Sequence, residues 1–562
     1  MSPHLNVRRR FLLLGLIVLL ALLLRSWGIA WGLHDSNVSR RAHPDEWAIY
    51  YLFQWFDGTR SLNPCPSQGQ CFFDWGSVFP YLAYGLHFLA LPLFGLIPAG
   101  AFGHHADINF VRIVLTGRVL SVLLSILTVM MSYRLAAVCF GPGAGLLAAL
   151  FVALSGLLVQ LAHFATPDAT LDFLMTCSLL AMALALKRPS LSRFTVAGGL
   201  VGLAAGTEYQ MALLLLPLTC AWLLSSRRGA LPLLAAYGVA AATFLISNPY
   251  VLIDQHAFRL SIEHAIRMRT VDSALQYQDR WAPYGPAWLY VVRYPLGYGV
   301  GFAMTGVLIA GAAWSLWRRE KYDLLLLCWL VPYLLLVSFS SAKFMRYSAP
   351  LLPPLAVLAG RFVATALVQP RPRAVRAAAA IGTAAALLFS GAYDAAYAGM
   401  FAAPEPRLVA TMWLAQHARL GSQVEFEELP DGLVNLPVFV TAAGYRPCFA
   451  QFSTKRLGGS PAYVVVDNYA LEDHEAVSGS VARRFQHVLA STPNYRVAHR
   501  VAYVPTFLGL SFPIGGSPHD WRYPDHEITV YSRVSSPTSA ASYCYQNLQL
   551  AVASLYNPRS RG

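Results

Sequence analysis

Charge is the scarcest thing in this sequence. Only 12% of its 562 residues are Asp, Glu, Lys or Arg, against about a quarter in a soluble domain. With 56% hydrophobic residues, the chain is excluded from the purely soluble class and is expected in a bilayer. The eight cysteines include no Cys-x-x-Cys pair and no Cys/His spacing suited to structural zinc. Nucleotide signatures are absent as well: there is no GxxxxGK[ST], and no GxGxxG follows a strand-like run. The net charge of +14 does not indicate nucleic acid, because the basic residues form short clusters between apolar runs, which is the pattern of membrane topology.

What the sequence does contain is apolar runs. Arg8-Arg9-Arg10 precede a run from Phe11 to about Leu24, which continues through Trp27, Ile29 and Trp31 without a small-residue cleavage site. That predicts an uncleaved first span rather than a signal peptide. Runs of about the length a span needs follow at 114–137, 143–161, 170–186, 194–208, 210–226, 229–247, 297–317, 322–340, 347–368 and 376–396. Lys187-Arg188 with Arg193, Arg227-Arg228, Arg318-Arg319 with Lys321, and Arg371, Arg373 and Arg376 then fall on one side, as the positive-inside rule requires. The stretch from Arg193 to Arg228 has basic ends and must go out and back, turning near Thr207-Glu208-Tyr209. The expectation is eleven spans, with a cytoplasmic N-terminus and an extracytoplasmic C-terminus. The run from Val78 to Pro98, interrupted by Pro80, His87 and Pro92, reads as an interfacial helix, with an ordinary second span as the alternative.

In this layout most acids, histidines and tyrosines near the membrane collect in the outward turns. From about Tyr397 the composition turns soluble, dividing the chain into a membrane part, 1–396, and an extracytoplasmic domain, 397–562. Met412–His417 reads as helix; Val438–Val440, Tyr463–Val466 and Ile528–Tyr531 read as strands. The fold expected is a polytopic α-helical membrane protein with interfacial helices in the first outer loop and a small C-terminal α/β or α+β domain. Cys65 with Cys71, and Cys448 with Cys544, lie where an oxidising exterior permits disulfides. Asn37-Val38-Ser39 fits the glycosylation pattern but is short and common.

Three clusters could carry chemistry. In Arg40-Arg41-Ala42-His43-Pro44-Asp45-Glu46-Trp47, adjacent carboxylates can push one another's pKa values apart and leave one as a base. The same residues would also make a plain salt bridge between an acid and Arg40 or Arg41. In His163–Asp172, Asp168 and Asp172 share a helix face, and Asp172 falls a turn into the membrane, where a carboxylate must face the bundle interior. Thr166 and Pro167 could equally be a helix cap and first position. In Lys343-Phe344-Met345-Arg346-Tyr347, two cations on the outward side run against the positive-inside rule, which suggests an anion such as a phosphate, although snorkelling also fits. The loop from Asn248 to Arg293 could bind a sugar or hold itself together. With no nucleotide site, an energy source on the outer face would be a lipid-linked donor.

Taken in order, several stretches resemble the GT-C membrane glycosyltransferases, specifically the protein O-mannosyltransferase and aminoarabinose lipid A transferase-like group. They are His43-Pro44-Asp45-Glu46, Phe72-Phe73-Asp74-Trp75-Gly76, His163 to Asp168, Gly206-Thr207-Glu208-Tyr209, Ser247-Asn248-Pro249-Tyr250, and Lys343 to Tyr347 followed by Pro350 and Pro353-Pro354. The likeness covers roughly residues 8–400. It implies inverting transfer of a sugar from a polyprenyl-phosphate donor to a lipid, glycan or protein acceptor on the extracytoplasmic face of the cell membrane. By carry-over, Asp45 is the catalytic base, Glu46 and Asp168 position donor or acceptor, Lys343 and Arg346 hold the donor phosphate, and His43, His163, Asp172 and Tyr347 belong to the substrate site. Glu208 departs from the lysine associated with that turn. A divalent cation, magnesium or manganese, stays open as cofactor. The alternative function is a transporter or flippase for lipid-linked saccharides, but the charges gather at one face and no internal repeat is visible.

Overall fold

The structure, a computed structural model, describes residues 7–33, 43–65, 71–96, 107–225, 229–270, 285–340, 343–368, 372–419, 422–427, 446–450, 461–467, 495–525 and 527–534. Among the described residues, five helical stretches are long and apolar enough to cross a membrane: Ile108–Phe140, Asp168–Lys187, Lys321–Phe339, Met345–Val368 and Arg373–His417. Pro142–Ala153 and Gly156–Ala162, which meet at 60°, have that length and apolar character only as a bent pair, either a broken span or a re-entrant loop. The first helix, Val7–Ser26, has its apolar stretch bracketed by Arg8–Arg10 and Arg25. Length and composition thus return fewer crossings than the eleven expected. The runs at 194–208, 210–226 and 229–247 become the shorter apolar helices Leu191–Ala205, Tyr209–Leu223 and Leu231–Ser247. A helix of 15 residues such as Leu191–Ala205 reaches only about 22 Å, less than a hydrocarbon core of about 30 Å.

Two of these short helices pack backbone to backbone. A Cβ on Gly198 would lie 2.1 Å from the Ala236 carbonyl oxygen, and one on Gly202 would lie 2.3 Å from that of Ala240. Small residues four apart allow this approach, the packing mode expected of helices in lipid. Beneath the first loop lies a separate apolar cluster. Helix Pro44–Thr59 contributes Ile49, Phe53 and Phe56, helix Val78–Phe94 contributes Phe79 and Ala83, and Ile108–Phe140 contributes Phe110 and Val114. Ile49, Phe53 and Phe56 recur at helical spacing, so one face of the loop helix is buried.

Helix Arg373–Ala402 runs without a break through the expected boundary at 396/397. Helix Pro406–His417 is longer than the expected 412–417. The sheet that follows has strands β1 Gln423–Glu427, β2 Arg446–Ala450, β3 Tyr463–Asp467, β4 Tyr495–Val501 and β7 Ile528–Arg533, with a short pair β5 Thr506–Phe507 and β6 Leu510–Ser511. The five-stranded order is β2-β1-β3-β7-β4; β1 lies parallel to β2 and β3, whereas β7 is antiparallel to β3 and β4. Ala410 and Leu414 of the preceding helix pack on Val424, Val465, Val501 and Val530. β3 and β7 fall where sequence predicted strands, while Val438–Val440 and Asn37–Ser39 lie outside the described residues. Cys65 is bonded to Cys71; the Cys448 side chain and Cys544 lie outside the described residues.

Candidate active site

His43-Pro44-Asp45-Glu46 starts a helix. His43 is extended, and its Nδ1 accepts from the Asp45 amide at 3.2 Å, while Pro44 stands at the first position, where its missing N–H costs nothing. Burial, offset in part by Asp45, holds the His43 pKa down at about 4, so the ring is neutral and Nδ1 keeps its lone pair for the cap. Its ring lies against Phe164 at 4.4 Å and Tyr523 at 4.7 Å.

Consecutive helix positions diverge by about 100°, and the two carboxylates go to different places. Glu46 points inward and is fully buried. Arg118 grips it with Nε at 2.7 Å and Nη2 at 2.8 Å, and the Ala165 amide donates to it at 2.9 Å. Arg118 also donates to the Ile29 and Trp31 carbonyls, both at 2.7 Å. Asp45 instead faces the half-buried side, 28% exposed, and pairs with the Arg346 guanidinium. Burial pushes the Asp45 carboxyl up, but Arg346, His43 and the hydrogen bond from Arg346 together hold it below the usual carboxylate value. The partners of these acids are therefore Arg118 and Arg346; Arg40 and Arg41 lie outside the described residues.

The second cluster divides in the same way. Asp168, nearly buried, sits within electrostatic range of both Arg346 and Asp45. Asp172 lies one turn deeper beside Asp168, 2% exposed, and neither of its oxygens has a hydrogen-bond partner among the described residues. His163 is elsewhere employed. Its Nδ1 lies 2.8 Å from the Val159 carbonyl oxygen, its Nε2 lies 3.0 Å from that of Trp27, and its ring stacks on Phe401 at 4.2 Å. Both ring nitrogens face backbone carbonyls, and a neutral ring has one N–H to donate, so His163 hydrogen-bonds one of them and packs between the end of the first helix and the bent pair of helices. The alternative reading of Thr166 as a helix cap is not met: the helix begins at Asp168 behind Pro167, without a side-chain cap.

Arg346 is held from several sides. Phe344 and Tyr347 place their rings 5.1 and 5.7 Å from its guanidinium, and the Tyr347 carbonyl accepts from the Tyr333 hydroxyl at 3.0 Å. Lys343 does not clamp the same group here, since its Nζ donates to the Gly285 carbonyl at 2.8 Å; burial lowers its pKa.

Two further residues complete the site. Arg118 could have been found, because it is one of only two cations, with Arg134, inside the apolar run 114–137 and such a residue needs a partner. Asp520 could not, because it stands in soluble-type sequence far from any motif. Its Oδ2 accepts from the Arg346 amide at 3.3 Å, and its own carbonyl accepts from Gln160 Nε2 at 2.5 Å. Burial, offset by Arg346, raises its pKa to about 6. The next residue, Trp521, stacks on Tyr397 at 4.0 Å, and the Trp521 carbonyl accepts from the Tyr397 hydroxyl at 2.6 Å.

Three other motif stretches meet each other rather than the acids. The Gly76 amide donates to the Thr207 carbonyl at 2.9 Å, the Ser77 amide to Asn248 Oδ1 at 2.7 Å, and the Tyr209 hydroxyl to the Trp75 carbonyl at 3.1 Å. They tie the loop before helix Val78–Phe94 to two later turns. As for a divalent cation, no three His, Cys, Asp or Glu side chains converge among the described residues. Asp45 and Glu46 are each engaged by an arginine, so this donor set does not fit a metal ion.

Comparison with known proteins follows the same outline. Residues 114–253 match the family model described as dolichyl-phosphate-mannose-protein mannosyltransferase. No curated protein sequence gives a significant match. The crystal structure of ArnT from Cupriavidus metallidurans bound to undecaprenyl phosphate is 14% identical, covers 93% of this chain and 98% of its own, and superposes with a TM-score of 0.51. The apo oligosaccharyltransferase of Archaeoglobus fulgidus is 14% identical over 85% of this chain and 73% of its own, with a TM-score of 0.48, too low to carry an argument. The chain thus shares the GT-C fold of that structure, and residues 114–253 resemble the mannosyltransferase family.

Proposed function

We propose that this protein transfers a sugar from a polyprenyl-phosphate-linked donor to an acceptor hydroxyl, with inversion, at the extracytoplasmic face of the cell membrane. The observation that carries the reading is the pairing of Asp45 with Arg346, which sets a base held ionised beside a cation on the opposite wall. The undecaprenyl phosphate named with the ArnT structure motivates the lipid-phosphate donor. In the reaction, the donor phosphate draws Arg346 away from Asp45. Asp45 accepts the proton of the acceptor hydroxyl as that oxygen bonds to the anomeric carbon. The bond from the anomeric carbon to the phosphate oxygen breaks on the opposite face, and the departing phosphate keeps the electron pair, with Arg346 neutralising its charge and Lys343 joining it once its Nζ leaves the Gly285 carbonyl. Asp168 is assigned to orient the sugar or acceptor, because it faces the same cation. Asp172, a turn below, is left to hold the deep end of that wall.

The test is Asp45→Asn, assayed with polyprenyl-phosphate sugars on purified protein. A positioned base contributes about 10²–10⁴-fold, so transfer should fall by at least that range while the protein inserts and melts as before. Full activity would remove Asp45 as base.

A further inference from the structure

We propose that Asp520, carried by the segment between β6 and β7, is a positioning residue for Arg346, so that the C-terminal part of the chain completes the phosphate-binding wall. The proposal rests on the reading of Arg346 as the donor-phosphate ligand. The 3-10 helix Met345–Leu351 begins behind Phe344, which supplies no side-chain cap. The first amides of a helix have no partner inside it. Asp520 supplies the missing acceptor from a distant part of the chain, through its contact with the Arg346 amide at 3.3 Å and its interaction with the Met345 amide.

The carboxylate is not there by accident of packing. It is 2% exposed, and burying a carboxylate is costly unless it is used. The backbone that follows it is anchored, by Gln160 to the Asp520 carbonyl and by Tyr397 to that of Trp521. Arg346 is thus gripped at both ends, its guanidinium by Asp45 and its backbone by Asp520. When the guanidinium turns from Asp45 to a phosphate, the Asp520 anchor stays in place and fixes where the side chain can reach. Oδ1 of Asp520 has no partner among the described residues, so the carboxylate can take a second amide as the turn adjusts.

The experiment measures the Kd for undecaprenyl phosphate on the full chain in lipid nanodiscs, for wild type, Asp520→Ala, Asp520→Asn, Asp520→Glu and Arg346→Ala. Asp520→Ala should weaken binding about tenfold, the scale of one charge-assisted hydrogen bond, and Asp520→Glu should recover part of it. Asp520→Asn should lie between them, because its amide oxygen still accepts but carries no charge. The ratio of wild-type to Asp520→Asn affinity should fall toward one as pH drops through about 6, where Asp520 takes a proton. Titration of the phosphate cancels in that ratio. Among the groups around Arg346, His43 stays neutral over this range and Asp45 stays ionised; Asp168, Tyr347 and Tyr523, which also face Arg346, and Tyr397 beside Asp520 are common to wild type and variant. Should Asp520→Ala fail to fold, the pH dependence of the ratio decides alone. Wild-type affinity and a flat ratio in the Asp520 variants, with binding lost in Arg346→Ala, would overturn the proposal. Wild-type affinity in Arg346→Ala would instead overturn the donor-phosphate reading beneath it.

Discussion

Asp45 and Glu46 are neighbours in sequence, yet they have opposite environments, and that difference decides which can react. Glu46 is wholly enclosed and held by Arg118 and the Ala165 amide, so it has no oxygen to spare for an acceptor; the carry-over that gave it a role in positioning substrate meets a carboxylate already in use. Removing one member of a buried pair leaves an uncompensated charge and costs about 3–5 kcal/mol, whereas replacing both by apolar or neutral groups costs much less. Arg118→Ala should therefore lower the melting temperature strongly. The double variant Glu46→Gln with Arg118→Met should recover most of that loss and keep transfer activity. Loss of activity in a well-folded double variant would return Glu46 to the chemistry. Sequence reading found Asp45 and Arg346 because charges beside apolar runs are conspicuous. It could not assign their partners, since partners are set by the approach of segments far apart in the chain.

Elements show the same division between composition and contact. Apolar runs marked nearly every helix, because burying or dissolving such runs in lipid leaves the backbone few other choices. Their breaks were not readable: the bend of 60° between Ala153 and Gly156 depends on Arg25, whose Nη atoms take the Val152 and Ala153 carbonyls at 3.0 Å. Those carbonyls lose helical partners at the break, and a distant arginine supplies donors. The joints between elements are equally specific. A Cβ on Gly76 would lie 1.9 Å from the Gly206 carbonyl oxygen, whereas one on Gly85, in the adjoining helix, would meet nothing within 4 Å. Gly76→Ala should lower the melting temperature by pushing two backbone segments apart. Gly85→Ala should leave it unchanged or raise it, since alanine favours a helix interior by about 0.5–1 kcal/mol. Equal effects of the two substitutions would contradict the close joint between these loops.

At the scale of the whole molecule, the membrane part and the C-terminal part are in contact. Composition changes near Tyr397 and so suggested a boundary there, but helix Arg373–Ala402 continues past it, and Trp521 returns from the sheet region to lie fully buried against Tyr393 and Tyr397. Such a return is invisible in composition, because a short polar segment looks the same whether it docks or stays in water. Trp521→Ala should cost about 3–5 kcal/mol, as large buried aromatic deletions do, and should reduce donor binding together with thermal stability; a variant with wild-type melting behaviour would show the segment to be loosely held. The pairing of Asp45 with Arg346 joins residues 301 positions apart, and this has a consequence for how the protein is made. Synthesis runs from the N-terminus at about 5–20 residues per second, so Asp45 is made roughly 15–60 seconds before Arg346, and Asp520 follows later still. A growing chain therefore holds a carboxylate with no opposing guanidinium, and the pair can close only after residue 346 has been added.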